Sequence, residues 1–229
     1  MKVIGLVGGT GWISTAEYYR IINEEVNRRL GGLQFAKCVL YSFNYSEIDF
    51  FNRTGNSEGI LTLIMDASVK LVTAGAECIV LCANTLHQFA ERLEWLNVPV
   101  IHVGAAVASE IKKKQMIKAG LLGTKQTMEM DFYKSKLKSE GIDVNVPDAE
   151  DRDFIQHSIT NELLKGKIFA ESKSRFLDIC EKLISEGAEG IILGCTEIPL
   201  IVKQADINVP VFNTLEIHAN AAVDFSLSN

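Results

Sequence analysis

The sequence predicts an α/β protein built from two similar halves, each containing a parallel sheet. Short runs rich in Val, Ile and Leu alternate with longer stretches of helical periodicity, which is the pattern of βαβ units. The chain has 229 residues, of which 47% are hydrophobic, so it can bury one large core or two smaller ones. A stretch of the first half also recurs in the second half, which indicates a repeated supersecondary unit.

The predicted strands and helices alternate along the chain. The strands are predicted at Val3–Val7, Ala36–Ser42, Cys78–Leu81, Val100–His102, Ala119–Leu122, Asp143–Val146 and Gly190–Leu193. The helices are predicted at Ser14–Arg29, Glu58–Thr73, Leu86–Trp95, Gly104–Lys114, Thr127–Ser139, Asp151–Leu164, Phe169–Ser185 and about Leu215 to Phe225. Ser14 or Thr15 can cap the first helix, while Gly75, Gly141 and Gly187 follow helices where a left-handed residue is needed.

The repeat sets the expected domain organisation. Lys70–Leu81 matches Lys182–Leu193 at a constant offset, and Val211–Asn213 resembles Val100–His102. We therefore expect an N-terminal lobe of residues 1–103 plus 211–229, a C-terminal lobe of residues 104–210, and a pseudo-two-fold relation between them. Ligands of open α/β sheets bind beyond the carboxyl ends of the strands, so the active site is expected in the cleft between the lobes.

Composition excludes several classes of protein. Lys+Arg 23 against Asp+Glu 29 gives a formal net charge of −6, and an acidic surface repels nucleic-acid phosphates. No apolar run approaches the roughly 18–20 residues that span a membrane, and the N-terminus enters a strand pattern directly. The five cysteines are an odd number, which argues against a secreted disulfide framework. We expect a soluble cytoplasmic protein that binds neither nucleic acid nor membrane.

Two strand-end loops can bind an anion. In Gly8-Gly9-Thr10-Gly11, small residues let backbone N–H groups approach a carboxylate or phosphate near a helix N-terminus. The loop fits neither the dinucleotide fingerprint nor the P-loop, and a plain tight turn is an equal alternative. In the second half, Thr124 and Thr127 can donate hydroxyls to a carboxylate, although Thr127 can equally cap the next helix.

A cysteine follows one of the repeated strands. Cys195 stands just after a buried strand and before a possible helix, where unpaired N–H groups lower the pKa of a thiol, so it is a candidate acid/base or nucleophile. Thr196 and Glu197 beside it favour a functional site over an inert core cysteine. In the first half the repeat aligns Ala83, rather than Cys82, with Cys195. Successive residues of an extended chain face opposite sides, so Cys82 is not expected to mirror Cys195.

These motifs resemble the aspartate/glutamate racemase family, whose members work without pyridoxal phosphate. The resemblance covers essentially the whole chain and rests on the segments Gly8–Gly11, Cys82–His87, Leu122–Thr124, Met128–Tyr133 and, most specifically, Gly194–Pro199. It implies a small amino-acid substrate, no cofactor, a homodimer, and proton transfer at Cα by two cysteines. By this resemblance Cys195 is one catalytic cysteine, Asn84, Thr85, Thr124 and Thr196 hold the substrate carboxylate, and Glu197 lies near the amino group. Cys82 is a candidate for the second catalytic cysteine. The loop residues Gly9, Thr10 and Thr127, together with Lys165, complete the candidate substrate-binding residues.

Two departures from the family pattern leave alternatives open. Ala83 occupies the usual position of the first cysteine, so Cys82 turns inward, a water or His87 substitutes, or Cys195 acts alone on one enantiomer. The loop after the second strand carries aromatic residues where acidic-substrate members have an arginine. Arg53 or Lys165 would then pair with a side-chain carboxylate; otherwise a broader, neutral substrate range is expected.

Two other functions remain open from the sequence. A carboxylate-binding protein would keep the cleft after losing one acid/base, and a related decarboxylase or isomerase would need Cys195 as its nucleophile. No metal is expected, because the histidines at 87, 102, 157 and 218 show no ligand-like spacing with the cysteines. Pyridoxal phosphate is not expected either, since no lysine motif for it is recognisable.

Overall fold

A computed structural model describes residues 1–228 as two compact units. The first unit contains residues 1–102 together with the chain from His218 onward, and the second contains Val103–Ile217. Within the described residues, each unit has one four-stranded sheet whose strands are all parallel. The predicted α/β class and the two similar lobes are confirmed.

The first unit is a sheet with strand order β2-β1-β3-β4. Its strands are β1 Ile4–Gly8, β2 Cys38–Ser42, β3 Cys78–Leu81 and β4 Val100–Ile101. Its helices are α1 Trp12–Leu30, α2 Tyr45–Arg53, α3 Ser57–Thr73 and a 3₁₀ helix Asn84–Leu96. The two central strands, β1 and β3, are buried along their whole length, so they read as continuous apolar runs rather than as an alternating pattern.

The second unit repeats this arrangement with strand order β6-β5-β7-β8. Its strands are β5 Lys118–Gly123, β6 Asp143–Asn145, β7 Ile191–Gly194 and β8 Val211–Asn213. Its helices are α4 Val103–Lys113, α5 Lys125–Glu129, α6 Asp131–Ser139, α7 Ala149–Asn161 and α8 Ala170–Ser185, with 3₁₀ turns at Leu163–Lys165, Ile198–Leu200 and Gln204–Asp206. Helix α9, Thr214–Leu227, begins in this unit and ends in the first.

The repeated segment has a structural cause in each unit. Gly75 and Gly187 end the helices before β3 and β7 with φ of 96° and 97°, a conformation that glycine adopts without strain. Glu77 follows in the first copy, and its carboxylate accepts a hydrogen bond of 2.7 Å from the backbone N–H of Val3. Glu189 accepts equivalent bonds from the two residues that lead into β5. The repeated Gly-Ala-Glu therefore joins a helix end to the start of the central strand.

Three details of the predicted organisation differ from the structure. The chain returns to the first unit at His218 rather than at 211, because Val211–Asn213 pairs with β7. Its resemblance to Val100–His102 reflects equivalent edge positions in two different sheets. Helix α1 begins at Trp12, and the hydroxyl of Ser14 donates to the Gly11 carbonyl from inside the helix instead of capping it. The segment after β3 is a 3₁₀ helix.

No helix among residues 1–228 is long and apolar enough to cross a membrane.

Candidate active site

The carboxyl ends of β5 and β7 bring two predicted motifs together in the second unit. Gly123 lies opposite Gly194 in the parallel register. A Cβ atom at Gly194 would lie 2.8 Å from the Leu122 carbonyl oxygen, so glycine is needed where these two strands end. Because adjacent parallel strands end at the same edge, the first residues after them, Thr124 and Cys195, belong to neighbouring loops.

Cys195 forms a hydrogen bond with a carboxylate two residues along the chain. Its side chain is 8% exposed, and Sγ donates to Glu197 Oε2 over 3.0 Å. The hydroxyl of Thr196 donates to the same oxygen over 2.8 Å. One carboxylate oxygen therefore accepts a hydrogen bond from the thiol and another from the hydroxyl. The predicted group of Cys195, Thr196 and Glu197 is connected through this oxygen.

The pKa of Cys195 is raised well above its ordinary value, mainly by burial. The charge of Glu197 and its hydrogen bond to the thiol raise the pKa further, while backbone N–H groups of residues 196 and 197 act in the opposite direction. The prediction of a lowered thiol pKa is therefore wrong for the unliganded protein. A turn and only a three-residue 3₁₀ helix follow β7, so the stabilisation by N–H groups is weaker than the effects of burial and of the neighbouring negative charge.

In the loop after β5, Thr124 and Thr127 form hydrogen bonds with each other. Thr124 caps α5, since its Oγ1 accepts from the Thr127 backbone N–H over 3.3 Å, and the two hydroxyl oxygens lie 3.0 Å apart. Thr127 is fully buried beneath the loop, and it is not the capping residue. The Lys125 backbone N–H donates to Gln156 Oε1 over 2.8 Å, so this backbone donor of the loop is occupied.

The two cations considered for a substrate side chain are both on exposed segments. Arg53 has a side chain 75% exposed and forms an ion pair of 3.1 Å with Asp49 on the same helix. Lys165 ends a 3₁₀ turn between α7 and α8, where its Nζ lies 3.5 Å from Asn161 Oδ1. Neither of these two contacts involves a residue of the Cys195–Glu197 group.

The glycine loop after β1 packs closely on the loop after β2. Gly9 has φ of 89°, and a Cβ atom there would lie 2.3 Å from the Phe43 backbone nitrogen. The Gly9 N–H donates to Thr15 Oγ1 over 2.9 Å, so the tight turn explains this glycine. Thr10 Oγ1 is buried and lacks a hydrogen-bond partner, which leaves one hydroxyl of the loop available.

Cys82 lies in the core of the first unit. It is 1% exposed, and its Sγ points to the carbonyl oxygen of Val80 in the preceding strand β3, 3.8 Å away. Burial raises the pKa of this thiol. Ala83 follows in an extended conformation and packs, partly buried, against a hydrophobic cluster of the first unit. Asn84 and Thr85 then begin the 3₁₀ helix, with Asn84 buried and Thr85 half-buried.

Sequence reasoning missed a buried cluster of histidines beside this turn. The ring of His87 makes edge contacts with the rings of His102 and His218, with centroids 4.9 Å and 5.0 Å away. Tyr18 OH contacts His218 Nδ1 at 2.8 Å. These residues are far apart along the chain and share no spacing pattern, so only the fold brings them together. In the described part of the chain, no group of three His, Cys, Asp or Glu side chains is arranged to hold a metal ion.

A separate depression of 540 Å³ lies on the surface of the second unit, between α7 and α8. Arg175 and Lys182 on its wall already form ion pairs, with Glu150 and Asp148 respectively. Its lining residues include none of the strand-end groups around Cys195, so this depression is not the candidate site.

Comparison with known proteins supports an assignment of this architecture. A model of the Asp/Glu/Hydantoin racemase family matches residues 7–222 of the chain. The sequence is 24% identical to the broad specificity amino-acid racemase RacX of Bacillus subtilis strain 168, over 99% of each protein.

Two solved structures superpose on the entire chain. A Yersinia pestis protein, whose crystal structure is described as that of a candidate Asp/Glu racemase, is 43% identical with a TM-score of 0.95, and the match covers 100% of both chains. An aspartate racemase homologue from Pyrococcus horikoshii OT3 is 38% identical with a TM-score of 0.87, again over 100% of both chains.

Proposed function

The chain belongs to the Asp/Glu/hydantoin racemase family, and from this premise we propose that it is a cofactor-independent amino-acid racemase. Cys195 is the group that moves the α-proton. The observation that carries the proposal is the hydrogen bond of 3.0 Å from the Cys195 thiol to Glu197, at the carboxyl end of a central strand. A core cysteine that serves only packing needs no carboxylate beside it.

The chemistry assigns one role to each group. The Cα–H bond breaks, its proton passes to the Cys195 sulfur, and its electron pair moves into the substrate carboxyl group as an enediolate. Hydroxyl and backbone donors around that group stabilise the developing charge. The groups proposed to bind the substrate carboxylate are Thr10, Asn84, Thr85, Thr124 and Thr196, while Glu197 binds the α-ammonium group. Gly9, whose N–H is bonded to Thr15, and Thr127, which is fully buried, are not among them.

The substrate itself supplies the charge that activates the thiol. Glu197 raises the pKa of Cys195 through its negative charge, and an ammonium group bound to Glu197 offsets that charge. Burial remains the larger cause of the raised pKa, but the contribution of Glu197 is removed, so the pKa of the thiol falls when substrate is bound. The thiol then releases its proton to solvent water, and the resulting thiolate takes the α-proton. In the free protein Cys195 stays protonated, which protects it from oxidation and alkylation.

The segment of the first unit that aligns with the Cys195 loop offers no accessible thiol. Cys82 is buried and bonded to Val80, and Ala83 can neither give nor take a proton. Of the candidates Cys82, His87 and a water molecule, the two side chains are both buried, which favours the water, and a water returns protons slowly. Exchange of the α-proton with retention is therefore expected to be faster than inversion for one enantiomer, and the variant Cys82→Ala is expected to leave both rates unchanged.

The expected substrates are amino acids with neutral side chains. Arg53 is paired with Asp49 and exposed, and Lys165 is exposed near Asn161, so neither is committed to a substrate carboxylate. An unpaired side-chain carboxylate in a closed site would cost several kcal/mol. Among alanine, serine, methionine, aspartate and glutamate, we expect the acidic pair to exchange more slowly than the neutral three.

The decisive test is exchange at Cα in heavy water, followed by proton NMR and by chiral chromatography. Cys195→Ala is expected to lower exchange at least about 100-fold, because general acid–base groups contribute rate factors of that order. Cys180→Ala, which removes another buried thiol of the same unit, is the matched control and should stay within about threefold. Cys195→Ser gives the same test if the alanine variant does not fold.

Exchange that survives in Cys195→Ala would overturn the proposal. Absence of exchange for every amino acid, together with saturable binding, would instead support a carboxylate-binding protein, and release of carbon dioxide would indicate a decarboxylase. The proposal includes a cytoplasmic location and a homodimer. Light scattering tests the homodimer by comparing the mass in solution with the chain mass of 25.3 kDa.

A further inference from the structure

His87 is bonded to the turn that follows β3. It is 2% exposed, and its Nδ1 lies 3.2 Å from the carbonyl oxygen of Ala83. A carbonyl oxygen only accepts, so Nδ1 carries the proton and donates it. The same oxygen accepts the Leu86 N–H over 3.2 Å, so both of its lone pairs are used. The turn at Ala83–Thr85 is therefore held by a side chain as well as by its own backbone.

The second nitrogen of the His87 ring, Nε2, is buried and unpaired. With the proton on Nδ1, Nε2 of the neutral ring is an acceptor, and this buried atom has no hydrogen-bond partner. Burial, together with the neighbouring His218 and His102, lowers the pKa of His87 well below its ordinary value, so the ring stays neutral. An unsatisfied buried acceptor is costly, which indicates that something other than stability keeps a histidine here.

Two other histidines hold this ring in place. His218 donates from Nε2 to the Ile101 carbonyl over 2.6 Å and accepts at Nδ1 from the Tyr18 hydroxyl over 2.8 Å, so its orientation is fixed at both nitrogens. Edge contacts from His102 and His218 then fix the plane of the His87 ring. His102 is the residue at which the chain leaves the first unit, and His218 is the residue at which it returns.

We propose that His87 is a positioning residue that sets the Ala83–Thr85 turn for binding of the substrate carboxylate. The proposal rests on the proposed function, in which Asn84 and Thr85 donate to that carboxylate. His87 acts through the Ala83 carbonyl and touches no reacting atom. The histidines at the two chain crossings keep its ring, and hence the turn, in one orientation.

Side chains that keep or lose the Nδ1–H donor test this role. In His87→Asn the amide N–H stands near the position of Nδ1, whereas in His87→Gln it stands near Nε2, and His87→Phe keeps a ring without a donor. Kinetics are measured as Cα exchange of the amino acid that the wild type exchanges fastest. We expect the Asn variant to keep KM within about threefold of the wild-type value, and the Gln and Phe variants to raise KM about tenfold or more.

The division between KM and kcat separates positioning from simple destabilisation. A variant that only lowers the folded fraction lowers apparent kcat and leaves KM unchanged, while a misplaced donor weakens substrate binding and raises KM. An unchanged KM in the Gln variant, or equal KM values for Asn and Gln, would overturn the proposal. If the Phe variant does not fold, the comparison of Asn with Gln decides alone.

Nitrogen NMR of histidine-labelled wild-type protein gives a second, mutation-free test. We expect one neutral ring protonated at Nδ1, assigned to His87 by its loss in the Asn variant, and a shift of its signals when substrate is added. His157, exposed on α7, is the control that should not shift. If the His87 signals do not shift when substrate is added, the proposed positioning role of His87 is refuted. The Cys195 variants test the proposed function independently.

Discussion

Burial is the main cause of the raised pKa of the Cys195 thiol, and the charge of Glu197 raises it further, so neutralising Glu197 has an effect of predictable sign. In Glu197→Gln the amide still accepts from Sγ, but the negative charge that raises the pKa of Cys195 is removed. The pKa of the thiol is then expected to fall, and alkylation of Cys195 by iodoacetamide should begin at lower pH than in the wild type. Mass spectrometry of the labelled peptide measures this shift.

The same substitution should separate chemistry from binding. Loss of the ammonium partner is expected to raise KM for exchange, although the thiol is easier to ionise. Cys180 is an internal reference, because burial raises the pKa of its thiol to about 12 and it lies far from Glu197 in sequence and on another element. An alkylation profile of Cys195 that is unchanged by Glu197→Gln would contradict the electrostatic argument.

His218 gives the first unit a stability that depends on pH. Burial lowers its pKa from 6.5 to about 4, so the folded state favours the neutral ring. This contribution is complete above pH 6.5 and is lost as pH falls towards 4, amounting to on the order of 3 kcal/mol. His87, whose pKa is lowered too, and the contacting His102 and Tyr18 belong to the same cluster. Urea unfolding between pH 7 and pH 4 measures the slope.

A variant of the same residue tests which group causes that slope. In His218→Gln the side chain no longer titrates, so the loss of stability between pH 6.5 and pH 4 should become shallower, even if the variant is less stable at pH 7. An equally steep loss in His218→Gln would assign the pH dependence to other groups.

At the scale of elements, the end of β7 depends on a close approach between strands. A Cβ atom at Gly194 would lie 2.8 Å from the Leu122 backbone oxygen and 3.2 Å from Thr127 Cγ2, so Gly194→Ala must displace the strand end. We expect a loss of about 1–3 kcal/mol in unfolding free energy. Exchange activity should fall more than stability implies, because Cys195 is the next residue. Thermal unfolding and exchange kinetics give the two quantities.

A glycine in open surroundings serves as the control for that substitution. Gly55 follows α2 with φ of 65° and no atom within 4 Å of an added Cβ, and asparagine adopts such a conformation readily. Gly55→Asn is therefore expected to change stability by less than about 0.5 kcal/mol. If Gly194→Ala were equally mild, the close approach would not constrain the position of Cys195.

The elements of the fold were largely predictable because each leaves a local signal. Buried central strands read as apolar runs, and the repeat marks two equivalent helix–strand junctions. The 3₁₀ helix Asn84–Leu96 was expected as an α-helix, because an apolar periodicity does not distinguish the two hydrogen-bond patterns. The return at His218 lies within α9, a continuous helix, so the sequence contains no break to mark it.

The candidate site was predictable only in part, because only some of its contacts join residues that are neighbours in sequence. Cys195, Thr196 and Glu197 are neighbours in sequence, so their contact follows from one motif. The raised pKa of Cys195 depends on burial, which a local pattern does not report. The contacts of His87 with His102 and His218 join segments that meet only in the folded unit.

At the scale of the whole molecule, the two units carry different groups at equivalent positions. Strands β3 and β7 occupy the same place in sheets of identical order, and the repeat aligns Leu81 with Leu193. The aligned residue two positions later is Ala83 in the first unit and Cys195 in the second. The fold is therefore repeated, but the thiol is not, which is why exchange is expected to outpace inversion.

A thiol placed at position 83 should bring the rate of inversion closer to the rate of exchange. Ala83 is extended and only partly buried, so Ala83→Cys adds one sulfur atom without a large volume change in the core. A second acid/base group then becomes available, and the ratio of racemisation to exchange is expected to rise about tenfold or more. Ala83→Ser is the matched control, because its hydroxyl is similar in size but a far weaker acid, and its ratio should remain near the wild-type value. Chiral chromatography and proton NMR on the same samples give both rates, and an unchanged ratio in Ala83→Cys would show that position 83 does not limit inversion.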